Sequence, residues 1–214
     1  MDAKKLKAQL KANKDSLTEH HAVRLHRAIS WLKCAEEVKD NLDIQYISLW
    51  IGFNACYANN LSKGELLTER ESFSEFVKKL VKHDTEMRFF HLLWNQFSGP
   101  VRLLIENKYV FKPFWDFQRG EIKYWEKSYH KSVEDSMKYL SKQQVEPLLE
   151  VVLDRLYTLR NQLMHGGATF KSDVNRSQVK DGNNMLKLLV PLVIEIMLLH
   201  PEENWGEIYY PVIS

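Results

Sequence analysis

Apolar residues fall three and four apart along nearly the whole chain, and runs that alternate apolar with polar are scarce. That periodicity builds helices, not strands, so the expected fold class is all-α. It is clearest near residue 150, where Val145, Leu149, Val152, Leu156, Leu159 and Leu163 recur at spacings of four, three, four, three and four. With 44% hydrophobic residues in 214, the chain can bury a core and is expected to form a single domain, 1–214.

Several helices can be placed from pattern and caps. In "SLTEHHAVRLHRAISWLKCAEEV", Ser16 and Glu19 have capping-box spacing, and Ala22, Leu25, Ile29 and Leu32 form one stripe. Asp43 is expected to cap "IQYISLWIGFNACYANNL", whose Ile44, Ile47, Trp50, Ile51, Phe53, Ala55 and Tyr57 leave little polar face and place this helix centrally. Gly52 inside it points to a close-packed neighbour rather than a break. "ESFSEFVKKLVKH" and "TEMRFFHLLWNQF" read as two shorter amphipathic helices. "MLKLLVPLVIEIMLL" is too short to span a bilayer, and Lys187, Pro191 and Glu195 lie four apart, as a narrow polar seam on a nearly buried helix. The closing "HPEENWGEIYYPVIS" is expected to pack back as an extended tail.

Thirty basic against twenty-eight acidic residues leave a net charge of +2, so the global basic field of a dedicated duplex binder is absent. Any nucleic-acid contact must be local. Cys34 and Cys56 sit in apolar helical patterns without a disulfide framework, and "MDAKKLKAQLKANKDSL" lacks the apolar run of a signal peptide. A cytoplasmic protein with no membrane partner is expected. From Tyr109 to Tyr129, Phe111, Phe114, Trp115, Phe117, Tyr124 and Trp125 are interleaved with Lys112, Arg119, Lys123 and Lys127. Such a mixture can stack bases and hold phosphates, and equally can close a core edge or a subunit interface.

The periodic helix near residue 150 ends in "LRNQLMHGG", Leu159 to Gly167. Beside its core stripe lies a second face carrying Leu153, Tyr157, Arg160, Asn161 and Met164, suited to cover by RNA or another subunit. His165 lies about 140° around an ideal helix from Arg160, but Gly166 and Gly167 end the helix there, so the imidazole can turn back towards the guanidinium. The plainer alternative is that His165 caps the last carbonyls against the negative end of the helix dipole and Arg160 is solvated.

Arg160, Asn161 and His165 in "LRNQLMHGG" resemble the arginine, polar residue, short spacer, histidine signature of the HEPN superfamily (higher eukaryote and prokaryote nucleotide-binding domains). "HRAISWLKCAEE" and "DIQYISLWIGFNACYANN" are similar to the first two helices of its ApeA-like branch, and the hydrophobic helix after the motif falls in the expected place. The likeness covers about half the chain and fades from roughly Leu61 to Lys142. It implies an up-and-down helical bundle with core helices at about 16–61 and 142–200 and an inserted helical and aromatic region at about 62–141. It further implies a homodimer whose two motifs meet at one cleft, and a metal-independent endoribonuclease needing no cofactor. His165 would be the general base or acid at the ribose 2′-hydroxyl, Arg160 would hold the scissile phosphate, and Asn161 would orient the pair, leaving a cyclic phosphate and a 5′-hydroxyl. A bacterial defence or toxin-like role follows from the resemblance alone, with an antitoxin or defence-system protein as a conceivable partner. HEPN domains also serve as non-catalytic modules that bind RNA or protein, and that alternative stays open.

No metal site is expected. His20, His21 and His26 share a helix without cysteine or well-placed carboxylates, while His83, His91, His130 and His200 are scattered singly. Glu146, Glu150 and Asp154 at helical spacing read as a solvated face, with a divalent ion as the lesser alternative. The chain has neither a glycine-rich phosphate loop nor a nucleophile elbow.

Overall fold

A computed structural model describes residues 2–57, 69–210 and 212, with the side chains of 69 and 70 left aside. The junction expected near 61 and 62 lies outside the described residues. All helices and turns and no strand make up the described regular structure, so the protein is all-α, as its periodicity predicts. The chain forms two compact units, Met1–Thr85 with Asn183–Ser214, and Glu86–Gly182.

The first unit opens with α1 (Ala3–Ala12), a helix not placed from the sequence, which buries Ala3, Leu6 and Leu10 at spacings of three and four. Asp2 caps it by accepting from the Lys5 amide at 2.8 Å. Helix α2 (Glu19–Glu37) is capped by Thr18, which accepts from the His21 amide, whereas Ser16 lies in a preceding 3₁₀ turn. Its buried face is His21, Arg24, Leu25, Ala28, Ile29, Leu32 and Ala35. Arg24 is tolerated there because its guanidinium donates to the carbonyls of Cys56, Gly206 (3.1 Å) and Glu207 (3.2 Å).

Helix α3 (Leu42–Tyr57) begins two residues earlier than expected, with Asn41 Oδ1 accepting from the Ile44 amide. Asp43 is instead a buried first-turn residue. Trp50 and Phe53 are buried as expected, but Ile44 is 41% exposed while Gln45 and Ser48 are buried. The polar pair is accommodated by bonds: Gln45 Nε2 donates to the Ala35 carbonyl and Ser48 Oγ to the Ile44 carbonyl. Helices α2 and α3 pair extensively. At their contact Gly52 has no side chain to hold them apart, and a Cβ there would meet Ala28 O at 3.3 Å. Helix α4 (Glu69–His83) and the segment after residue 199 complete this unit, the latter burying Trp205 and Ile208.

In the second unit, α5 (Arg88–Phe90) runs into a π-helical turn over His91–Gln96, so "TEMRFFHLLWNQF" is not one regular helix. Then come α6 (Ser98–Ile105), a 3₁₀ turn at Lys108–Val110, α7 (Lys112–Gln118), α8 (Glu126–Ser141) and α9 (Val145–Met164). Helix α9 packs on α6, α8 and the 3₁₀ turn, burying Leu149, Val152, Leu156 and Leu159 of the expected stripe. Leu153 joins them at 1% exposed, which removes it from the outer face. The buried Arg155 donates to Ser132 Oγ at 2.9 Å and lies 4.5 Å from the centre of the Phe111 ring.

Helix α10 (Arg176–Leu199) continues through the boundary between the units. By length and composition it could cross a membrane, yet 72% of its most apolar window is buried, as in a core helix. Lys187 and Glu195 of the expected seam are partly exposed, and Pro191 is buried.

Candidate functional site

Helix α9 ends by a Schellman motif. The Gly167 amide donates to Gln162 O at 2.7 Å and the Gly166 amide to Leu163 O at 3.4 Å, with Gly166 at φ +70°. Glycine is required at the first of these positions by its left-handed backbone, and a Cβ at Gly167 would meet Gln162 O at 3.1 Å. Backbone amides therefore satisfy the carbonyls of Asn161, Gln162 and Leu163. His165 contributes its amide, which donates to Asn161 O at 3.0 Å, while its exposed imidazole takes part in no hydrogen bond or ion pair with the described residues.

Arg160 and Asn161 are partly exposed and bound to each other, Arg160 Nη1 donating to Asn161 Oδ1 at 2.8 Å. Among the described residues no carboxylate or backbone carbonyl accepts from the rest of the guanidinium fork. Tyr157 (37% exposed) and Met164 (45% exposed) flank the pair, as the second helix face predicts. Within one chain the structure brings Arg160 and Asn161 together; it does not bring His165 into a hydrogen bond with either side chain.

The neighbouring aromatic region divides in two. Phe111 and Phe114 are buried, and Phe114 meets Tyr109, Trp115 and Trp125 edge to face at 5.5, 5.2 and 5.0 Å, which is core work. Tyr109 and Tyr124 remain exposed at 51% and 81%. The Tyr109 carbonyl accepts from Trp115 Nε1 at 2.8 Å and from Gln162 Nε2, so this turn is tied to the motif's own helix. Lys108 lies over the Tyr109 ring at 5.2 Å. Two of the cations counted from sequence are already neutralised: Lys112 pairs with Asp116 at 2.7 Å, and Arg119 pairs with Asp116 and Glu121 at 2.5 and 2.6 Å.

A second constellation was hidden by its separation in sequence. His83, the last residue of α4, stacks on His200 with ring centres 4.1 Å apart and planes 29° apart. His83 Nε2 meets Glu203 Oε2 at 2.8 Å, and His200 Nδ1 meets Glu202 Oε1 at 2.9 Å. Glu203 also pairs with Lys79 and Lys82. The His83 hydrogen bond, helped by the lysines, holds its carboxyl down at about 2. Burial first and then the Arg24 charge hold His21, whose ring centre lies 6.3 Å from that of Trp205, down at about 4.

No protein-family model matches the chain, and no curated protein or solved structure matches it either.

Proposed function

We propose that the chain is a metal-independent endoribonuclease of HEPN type, acting as a homodimer in bacterial defence or in a toxin-like role. What supports this reading above all is the end of α9: a hydrogen-bonded Arg160–Asn161 pair beside an exposed histidine that the helix does not need as a cap. Histidine is the side chain whose ordinary pKa suits proton transfer near neutrality, and a guanidinium offers a planar fork for phosphate oxygens. In the proposed step His165 takes the proton of a ribose 2′-hydroxyl as that oxygen attacks the adjacent phosphorus. The bond to the 5′-oxygen breaks, a second acid supplies its proton, and a 2′,3′-cyclic phosphate and a 5′-hydroxyl remain. Arg160 stabilises the charge on the phosphoryl oxygens, with Asn161 fixing its orientation. A two-fold dimer would supply the second histidine and arginine. Exposed Tyr109, whose carbonyl is bonded to Gln162 of the same helix, and its neighbour Lys108 would stack and steady the RNA strand.

The test is incubation of purified protein with mixed single-stranded and structured RNA, with and without chelator, comparing wild type with His165→Ala and Arg160→Ala. Cyclic-phosphate ends that disappear in both variants are the expected result. If folded wild-type protein cuts no RNA in either buffer, the chain is instead a non-catalytic module, and RNA or protein capture by the same helix face becomes the measurement.

A further inference from the structure

We infer that His83, His200 and Glu202 form a binding site for one zinc-like divalent transition-metal ion, which fastens the segment after α10 to the end of α4. One nitrogen of each imidazole and one carboxylate oxygen of Glu202 lie within 4.8 Å of one another. An ion bound at about 2.0–2.2 Å places adjacent ligand atoms roughly 3–3.5 Å apart, so atoms as far apart as 4.8 Å must close by roughly 1.5 Å on binding, a movement open to the exposed Glu202 side chain. His200 Nδ1 and Glu202 Oε1, at 2.9 Å, already stand as neighbouring ligands. Two imidazoles and one carboxylate with a further position open to solvent are a ligand set suited to zinc, cobalt or nickel, and poorly suited to calcium or magnesium.

The outer contacts agree with this chemistry. Glu203 accepts at His83 Nε2, which leaves Nδ1 for the ion, and a carboxylate on the far nitrogen is the device that fixes the tautomer and orientation of a metal-bound histidine. Lys79 and Lys82 pair with Glu203, so their charge offsets the outer carboxylate and Glu202 is left for the metal. The His83 side chain is 13% exposed, His200 26% and Glu202 64%, giving a graded path from solvent to the inner ligand. The same segment carries Trp205, buried, and the carbonyls of Gly206 and Glu207 that receive Arg24. An ion at its start would add to the links that Glu203 already makes from this segment to His83, Lys79 and Lys82 of α4.

Tag-free full-length protein stripped of metal and titrated with zinc should bind one ion per chain by calorimetry, and cobalt should give the visible absorption of a histidine-ligated ion. Zinc should raise the unfolding midpoint and chelator should return it. His200→Ala and the surface change Glu202→Gln should each abolish that shift, and Glu203→Gln should weaken binding about 10–100-fold. Glu202→Gln, on an exposed side chain, keeps the test open if the histidine variant fails to fold. Wild type that binds neither zinc nor cobalt, or zinc binding undiminished in Glu202→Gln and His200→Ala, overturns the site. None of these readouts depends on RNA cleavage.

Discussion

Replacing Gly52 by alanine sets helix propensity against packing at one atom. In a solvent-facing helix interior the exchange stabilises by about 1 kcal/mol. Here the added Cβ would stand 3.3 Å from Ala28 O, 3.5 Å from Trp31 Cβ and 3.6 Å from Val190 Cγ1. The nearest of these is a backbone carbonyl inside α2, which cannot rotate away as a side-chain tip would. Relief requires α2 and α3 to separate by a few tenths of an ångström along a contact shared by many side chains. Overpacking of this kind costs about 1–3 kcal/mol, so the net expectation is a loss of about 1 kcal/mol. For a chain of this size that lowers the thermal midpoint by about 2–4 °C. Ser30→Ala, at an exposed position of α2, is the control and should gain a few tenths of a kcal/mol from propensity alone. Urea unfolding followed by circular dichroism measures both. A Gly52→Ala chain as stable as Ser30→Ala would refute the argument, because the contact would then impose no constraint on the spacing of the helices.

Four further outcomes follow from buried or backbone-constrained groups. His21 is neutral in the fold and held at about 4 against 6.5 when unfolded, so its contribution is complete above 6.5 and is lost as pH falls from there through 4. That drop corresponds to roughly 3 kcal/mol, and His21→Gln should flatten the fall in stability between pH 6.5 and 4, whereas an unchanged slope would exclude His21 as its cause. Arg155→Met should retain stability within about 1 kcal/mol while Arg155→Ala loses about 3 kcal/mol, since the packing over Phe111 matters more than the charge; equal losses in urea titrations would reverse that ranking. Burial pushes the Cys56 thiol up to about 12, so a thiol reagent should modify half-buried Cys34 first and reach Cys56 only on unfolding, and equal native rates by mass spectrometry would contradict this. Gly166→Ala should destabilise by about 1 kcal/mol and Gly166→Asn by less, because the position has φ +70°; an alanine variant of unchanged midpoint would mean the helix end can be rebuilt.

The helices were legible where burial and hydrophobicity coincide. Leu149, Val152, Leu156 and Leu159 lie buried on the stripe read from their spacing, and Trp50 and Phe53 sit in the core. Reading failed where a polar side chain is buried because a distant backbone satisfies it. Arg24 is solvent-free through carbonyls of Gly206 and Glu207, and Gln45 through that of Ala35. No local pattern carries such a partnership, so periodicity left both on the outside and placed Ile44 within. Caps slipped by two residues for a related reason: Thr18 rather than Ser16, and Asn41 rather than Asp43, are all good capping types two positions apart, and tertiary packing chooses among them.

The two candidate sites differ in the same way. Arg160, Asn161 and His165 share six residues of one helix end, so their proximity is a property of the sequence, and the glycines that stop the helix are visible beside them. What the sequence left open was whether the imidazole is used up as a cap. The Schellman bonds bear on that point, because the carbonyls of Leu163 and Gln162 are satisfied by the amides of Gly166 and Gly167 and the imidazole of His165 bonds to none of the described residues. His83 and His200 carry the opposite lesson. Each looks solitary along the chain, and only the fold of α4 against the segment after α10 makes them ring neighbours with a carboxylate on each. A local motif can therefore be read before folding, whereas a ligand set assembled from remote segments exists only once the intervening helices have packed.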